Sequence, residues 1–299
     1  MDWLNYHHLL YFWTVAREGG VAAASKRLHL AQPTISSQLR QLEERLGVRL
    51  FDRSGRRLQL TEAGRVALRY ADEIFGLGRE LVDTLQHKPG GPLRLVVGVT
   101  DTVHKMIAYR MIEPALRLPG GVRLECPEDK LERLLARLAG RELDLILSDS
   151  PVAQHHDVKA YNHPLGDSAI SIFAAPALAA RLRRGFPRSL DGAPFLLPAP
   201  AAPLRRELAK WFDRQEIRPD VAGEFDDSAL LKVFGQAGAG VFAGPAVLEA
   251  EIAQRYDVQP LGRAEGLVER YFAISGERRI KHPGVVAISA GARAELFAQ

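Results

Sequence analysis

From Gln32 to Gln41 the chain reads QPTISSQLRQ, a run of short hydrogen-bonding side chains set around aliphatic ones. Thr34, Ser37, Gln38, Arg40 and Gln41 fall on one side of a helical wheel. Ile35, Leu39, Leu42 and Leu46 recur on the other, in steps of four, three and four. Short amides and hydroxyls can approach base edges without a large desolvation cost, and guanidinium groups suit phosphates. The chemistry implied is recognition of a DNA groove.

The flanking residues can position such a helix. Val21, Ala23, Ala24 and Leu28 pack a short helix from Val21 to Leu28, with Ser25, Lys26 and Arg27 on its outer face. Leu30-Ala31-Gln32-Pro33 breaks that pattern, and Pro33 is tolerated in the first turn of the next helix, where its missing N–H had no partner. Gly47 stops the second helix. Arg49 to Leu58 then reads as a basic hairpin, with Ser54-Gly55 at its turn and arginines on both sides. From Arg17 to Arg69 there are eleven Lys/Arg and five acids, a local excess of six where the whole chain carries +4. Charge concentrated in this way is the footprint of a nucleic-acid partner. The plain alternative is a helical pair with a solvated face. Helix, turn, helix and basic hairpin in this order argue against it.

At 299 residues and 46% apolar, the chain is long enough for two or three domains with real cores. The single cysteine, Cys126, excludes an internal disulfide and a cysteine-based zinc site, and a buried structural thiol is its expected role. The N-terminal MDWLNYHHLLYFW lacks a basic leader and a cleavage site, and no stretch has the length of a membrane span. A cytoplasmic protein with no membrane partner is expected. Adjacent His7 and His8 point to different helix faces and make a poor metal pair.

The rest of the chain supplies the scaffold. A first helix spans about Asn5 to Glu18 and ends at Gly19-Gly20. A long helix runs from Thr61 to about His87, with Val66, Tyr70, Ile74, Leu77, Leu81 and Leu85 as its stripe. It is too long for a compact three-helix domain alone, so a partner helix from a second copy is expected. His87 to Pro92 is a Gly/Pro hinge. Strands Leu93–Val99, Val122–Cys126 and Leu143–Ser148 alternate with helices Val103–Leu116 and Lys130–Leu138, the pattern of an open parallel sheet. Strands follow at Ala169–Ala174, Phe195–Leu197, Val221–Phe225, Gly240–Ala243 and Arg270–Ser275, with helices at Pro203–Gln215, Ser228–Gln236, Ala246–Gln254 and Gly284–Phe297. The fold class is multidomain α+β: a winged helix-turn-helix, a long linker helix and a C-terminal α/β region.

The stretch LLYFWTVAREGGVAAASKRLHLAQPTISSQLRQLEERLGVRLFDRSGRRLQLTEAG and the later FGQAGAGVFAGP resemble LysR-type transcriptional regulators. NYHHLLYFWTVAREGGV, RYADEIFGLGRELVD, LDLILSDSP, GEFDDSALLKVFG and ISGERRIKHPGVVAI resemble the branch governing sodium/proton antiporter genes. The resemblance implies a winged helix-turn-helix over residues 1–61, a dimerising linker helix over 62–87 and a hinge over 88–92. It also implies two lobes like those of a solute-binding protein, one from 93–162 and 268–299, the other from 163–267. The chain would pass between lobes at about Tyr161–Gly166 and Gly266–Glu269. Implied partners are double-stranded DNA, a second copy (frequently a tetramer), a small effector and, as a further candidate, RNA polymerase. No cofactor and no enzymatic activity are expected.

By this resemblance Gln32, Pro33, Ser36 and Ser37 take the family's base-reading positions. Glutamine can pair bidentately with adenine, and Pro and Thr carbons can touch thymine methyls. The family often has arginine where this chain has Ser37. Thr34, Arg40, Arg53 and Arg56 are the phosphate candidates. In open parallel sheets the strands' C-terminal ends face the ligand crevice. Thr100, Asp101 and Thr102, then Ser148 and Asp149, then Pro198, then Asp226, Asp227 and Ser228 lie in those loops. Family members often bind small organic anions there, which the hydroxyls suit. The aspartates would repel an anion and could ligate a cation, so Asp101, Asp149 and Asp226 are sodium-site candidates, consistent with a sodium- or lithium-responsive activator. Aspartate is also a favoured helix N-cap. His104 and His163 could add pH sensitivity.

Other functions fit less well. Gly238-Ala239-Gly240-Val241 lacks the Lys-Ser/Thr of a P-loop, and no motif orders a Ser/His/Asp set for catalysis. A regulator answering an organic anion is the closest alternative. A solute-binding protein would share the lobes but would lack the basic helix-turn-helix.

Overall fold

The computed structural model describes residues 4–52, 58–86, 92–153, 160–277 and 282–297. The chain divides into two compact units, Met1–Lys88 and Pro89–Gln299.

The first unit holds α1 (Tyr6–Glu18), α2 (Val21–Leu28), α3 (Gln32–Leu46), a small hairpin of β1 (Phe51–Asp52) and β2 (Gln59–Leu60), and α4 (Glu62–Gln86). Sequence punctuation sets these ends. Asn5 caps α1, its side chain accepting from the amides of His7 and His8, and Gly19 closes it at φ +74°. Pro33 sits in the first turn of α3, and Gly47 ends it in the left-handed region. Leu9, Phe12 and Val15 of α1, Ala24 of α2 and Ile35, Leu39 and Leu42 of α3 form the core with Leu50, Phe51 and Ala71. Leu46, the last residue of α3, departs from the expected stripe: it is exposed. Gly64 lets α4 approach the hairpin, since a Cβ there would lie 2.0 Å from the Leu50 carbonyl oxygen.

The second unit opens with β3 (Leu93–Thr100), α5 (Lys105–Leu116), β4 (Val122–Glu125), β5 (Glu128–Asp129), α6 (Leu131–Ala139) and β6 (Leu145–Ser148). There follow β7 (Tyr161–Ala174), α7 (Pro176–Leu182), β8 (Pro194–Pro198), α8 (Pro203–Gln215), β9 (Asp220–Phe225), α9 (Ser228–Gln236), β10 (Phe242–Pro245), α10 (Glu249–Tyr256), β11 (Gln259–Ser275) and α11 (Pro283–Gly291). A π-helical turn, Ala292–Leu296, ends the described chain.

The sheet is mixed, not wholly parallel as the alternation predicts. β3 pairs in parallel with β4, β5 and β6, but β11 runs antiparallel to both β6 and β7, and β7 antiparallel to β10. β7 and β11 are also far longer than their apolar cores suggest, because each continues from one lobe into the other. Pro164 and Gly166 in β7, with Gly262 and Gly266 in β11, look like strand ends in the sequence; the register shifts beside Gly262, between Arg263 and Val268, and between Tyr271 and Phe272 absorb them as bulges. β8 and β9 pair in parallel in the other lobe, and a bridge from Phe195 to Val241 links β8 to the approach to β10. Cys126 is exposed, not buried, because it follows β4 on the open side of the sheet. Among the described residues no helix is long and apolar enough to cross a membrane.

Candidate nucleic-acid interface and effector cleft

In α3 the burial follows the expected division. Ile35, Leu39 and Leu42 are buried, while Gln32, Pro33, Thr34, Ser37, Arg40 and Gln41 are exposed and Ser36 is half-buried. Ser36 and Arg40 border a shallow recess with Val21, Glu43, Phe51 and Leu58, so the polar side of α3 meets α2 and the hairpin at an open surface. The turn before α3 is held by Ser25, whose hydroxyl donates to the Leu30 carbonyl at 2.5 Å and whose own carbonyl accepts from the Leu30 amide. Glu43 anchors the far end to the hairpin, its carboxylate accepting from the amides of Leu50 (2.8 Å) and Phe51 (3.1 Å). Arg53, Arg56 and the Ser54-Gly55 turn lie outside the described residues, as do residues 88–91 of the hinge expected over 88–92.

On α4, Val66, Tyr70, Leu77 and Leu81 carry their apolar side chains into the open, Tyr70 at 63% and Leu81 at 59% exposure, while Ala71 faces the core. The side chain of Leu85, the last of the predicted stripe, lies outside the described residues. Asp72 ties α4 to α1, accepting from the Trp13 indole at 2.6 Å and pairing with Arg17 at 2.7 Å.

The second unit brings several predicted loops together. Thr100 is buried at the end of β3, and the Thr102 hydroxyl donates to the buried Asp149 carboxylate at 2.7 Å. Burial pushes the Asp149 carboxyl up, opposed by that hydrogen bond, and Asp101 pushes it further. Ser148 is fully buried, and its hydroxyl turns back to the Ser150 carbonyl. Asp227 caps α9, accepting from the amides of Ala229 and Leu230, and those two bonds hold its carboxyl low. Asp226 is exposed, and the Pro198 carbonyl accepts from Arg205; no described contact joins either to the cluster. Among the described residues no set of three or more His, Cys, Asp or Glu side chains could hold a metal ion, so Asp101, Asp149 and Asp226 do not form one.

Two family models match this chain: "Bacterial regulatory helix-turn-helix protein, lysR family" over residues 6–65, and "LysR substrate binding domain" over residues 89–288. The chain belongs to the LysR family. It is 35% identical over 288 residues to "Transcriptional activator protein NhaR" of Escherichia coli K12, covering 96% of this chain and 95% of that one. Among solved structures it shares a fold with ArgP from Mycobacterium tuberculosis (TM-score 0.66, 18% identity, 97% of each chain). The same holds for full-length CbnR in complex with its target DNA (TM-score 0.52, 23% identity, 97% of this chain and 98% of that one). A LysR-family chain is a DNA-binding transcriptional regulator, not an enzyme, and its second unit is the family's effector-binding module.

That LysR module also contains charged residues whose sequence signal is weak. Lys232 on α9 is 3% exposed, its ammonium donates to the Ser228 carbonyl at 2.6 Å, and it lies 5.9 Å from the centre of the Tyr256 ring. Burial pulls its ionisation down to about 7, opposed by Asp227 and Glu269. Glu269, on the β11 crossover, accepts from the buried Tyr271 hydroxyl, and burial raises its carboxyl to about 7. His104 is also buried; burial first, then Lys232 and Lys105, hold it well below the usual imidazole value. His163 is half-buried against the Ser275 hydroxyl at 2.9 Å, and burial lowers it too. The available signals were weak ones. Lys232 shares a helix face with Leu231 and Gly235, and Glu269 sits in the crossover segment.

Proposed function

We propose that this chain is a transcriptional activator that binds operator DNA as a homodimer and is switched by a signal received between the lobes of its second unit. Base reading is assigned to Gln32, Pro33, Ser36 and Ser37, and phosphate contact to Thr34, Arg40, Arg53 and Arg56. The observation that carries the DNA reading is the exposed polar side of α3, backed by a buried aliphatic side and buttressed by the hairpin through Glu43. The activating sense follows the name of the Escherichia coli relative. The exposed apolar stripe of α4 supports pairing of two chains, with a tetramer and contact to RNA polymerase as further assembly steps.

The signal we assign is sodium or lithium concentration, or pH. Thr100, Asp101, Thr102, Ser148, Asp149, Pro198, Asp226, Asp227 and Ser228 are the proposed effector region. A buried lysine and a half-buried carboxyl, Lys232 and Glu269, both poised near pH 7, support a proton-linked response. A second reading is an organic effector bearing a carboxylate. It is favoured by the enclosed Lys232 ammonium and by α5, whose start at His104 has no side-chain cap.

Footprinting on the DNA beside the chain's own gene tests both parts. Sodium and potassium salts are compared at constant ionic strength between pH 6 and 8.5, because salt alone weakens protein–DNA binding. A protected site whose boundary or affinity changes with sodium or pH is expected. No protection under any condition sinks the regulator reading. Protection indifferent to both variables sinks the signal.

A further inference from the structure

Two opposite charges, buried Lys232 and half-buried Glu269, lie in the second unit without being paired to each other. Lys232 donates to one described acceptor, the Ser228 carbonyl, although an ammonium has three N–H bonds. Glu269 accepts from the Tyr271 hydroxyl. The two attract each other, yet no N–O approach within 4.0 Å joins them. Enclosing a charge is costly unless it is paired and hydrogen-bonded, and each of these groups has one described hydrogen-bond partner and no opposite charge in contact.

The surroundings divide into two poles. His104 opens α5 with no side-chain cap, and the Lys232 charge acts on its buried imidazole. The start of α9, by contrast, is closed by Asp227. Lys105 adds positive charge on this side. On the other side Glu269 senses Asp149, which in turn senses Asp101.

We propose that the interlobe cleft takes a small zwitterion of the α-amino-acid type. Its carboxylate sits on the Lys232 ammonium and the start of α5, and its ammonium on the Glu269 and Asp149 carboxyl groups. A simple anion would leave Glu269 and Asp149 facing it, and a simple cation would face Lys232. A molecule bearing both charges satisfies both poles and enters with no net charge. β7 and β11 join the lobes, and a bend at their bulges would open the cleft to a ligand. The inference rests on the second reading above, an organic effector, and narrows it from anion to zwitterion.

Titration calorimetry on the full chain at pH 7 and constant ionic strength tests it, using the standard α-amino acids beside acetate and ethylammonium. At least one amino acid should bind, and neither single-charge compound should bind comparably. Glu269→Gln and Lys232→Met should each weaken that amino acid by roughly thirtyfold or more, the loss expected when one partner of a buried charge pair is truncated. Should Lys232→Met fail to fold, Lys232→Arg keeps the charge, alters its reach and should show the same loss. Heat from no amino acid at millimolar concentration overturns the proposal. So does acetate binding as tightly as any amino acid and indifferent to Glu269→Gln. Operator binding by the wild-type chain is measured alongside; its failure would strike the regulator reading instead.

Discussion

The carboxylate of Glu43 accepts the amides of both Leu50 and Phe51, so one side chain on the recognition helix fixes the strand that begins the wing. Glu43→Ala leaves those amides without that acceptor. A loss of about 1–3 kcal/mol from the first unit is expected, read as a lower urea midpoint, together with weaker operator binding. Glu43→Gln keeps an acceptor oxygen and should lose less. Equal stability of Glu43→Ala and wild type would show that the wing is held by other means.

Arg40 is exposed on α3, close to the recess bordered by Ser36 and Phe51. A phosphate contact carries no sequence information, so Arg40→Ala should weaken specific and unrelated DNA alike and lower the salt slope by about one. Arg53, outside the described residues, carries the same expectation. Fluorescence anisotropy across a salt series measures it. A slope equal to wild type, or a loss confined to the specific site, would count against phosphate contact.

The recognition unit was legible because its punctuation is local: Asn5, Pro33 and Gly47 each mark a helix end through their own backbone chemistry. α8 and α9 were equally readable, opened by Pro203 and by the Asp227 cap. The crossover strands were not. Their bulges are stabilised by pairing between β7 and β11, a long-range fact that Pro164, Gly166, Gly262 and Gly266 conceal. α7, seven residues long, gave too short a pattern to stand out. Lys232 and Glu269 escaped notice because charged residues on amphipathic segments ordinarily face water.

Leu77 and Leu81 stand 56% and 59% exposed on one stripe of α4. If a second copy covers that stripe, a charge there cannot be accommodated. Leu77→Glu and Leu81→Glu should each shift the chain toward monomer in sedimentation velocity. Affinity for a two-fold operator should fall with them, since both half-sites must be held at once. A variant that remains fully associated would place the interface elsewhere.

The Lys232–Glu269 pair should write a two-limbed signature into stability against pH. Glu269 ionises near 4.5 in an ordinary setting and near 7 here, so the folded chain holds that proton more tightly than the unfolded one. Its contribution is full below 4.5 and is lost as pH rises toward about 7. Lys232 ionises near 10.5 ordinarily and near 7 here, so the unfolded chain holds that proton more tightly. Its burial penalty is full below about 7 and is relieved as pH rises toward 10.5. Glu269→Gln should therefore flatten the falling limb and Lys232→Met the rising one, each by on the order of 3 kcal/mol. The readout is the difference between each variant and wild type across pH 4.5–10, to which His104, acted on by Lys232, and Asp149, acted on by Glu269, add shifts of their own. The two groups are coupled, so the midpoints near 7 belong to the pair, and removing one should move the other. Difference curves without slope on either side of neutrality would mean that both groups titrate in the folded unit as they do in the unfolded chain.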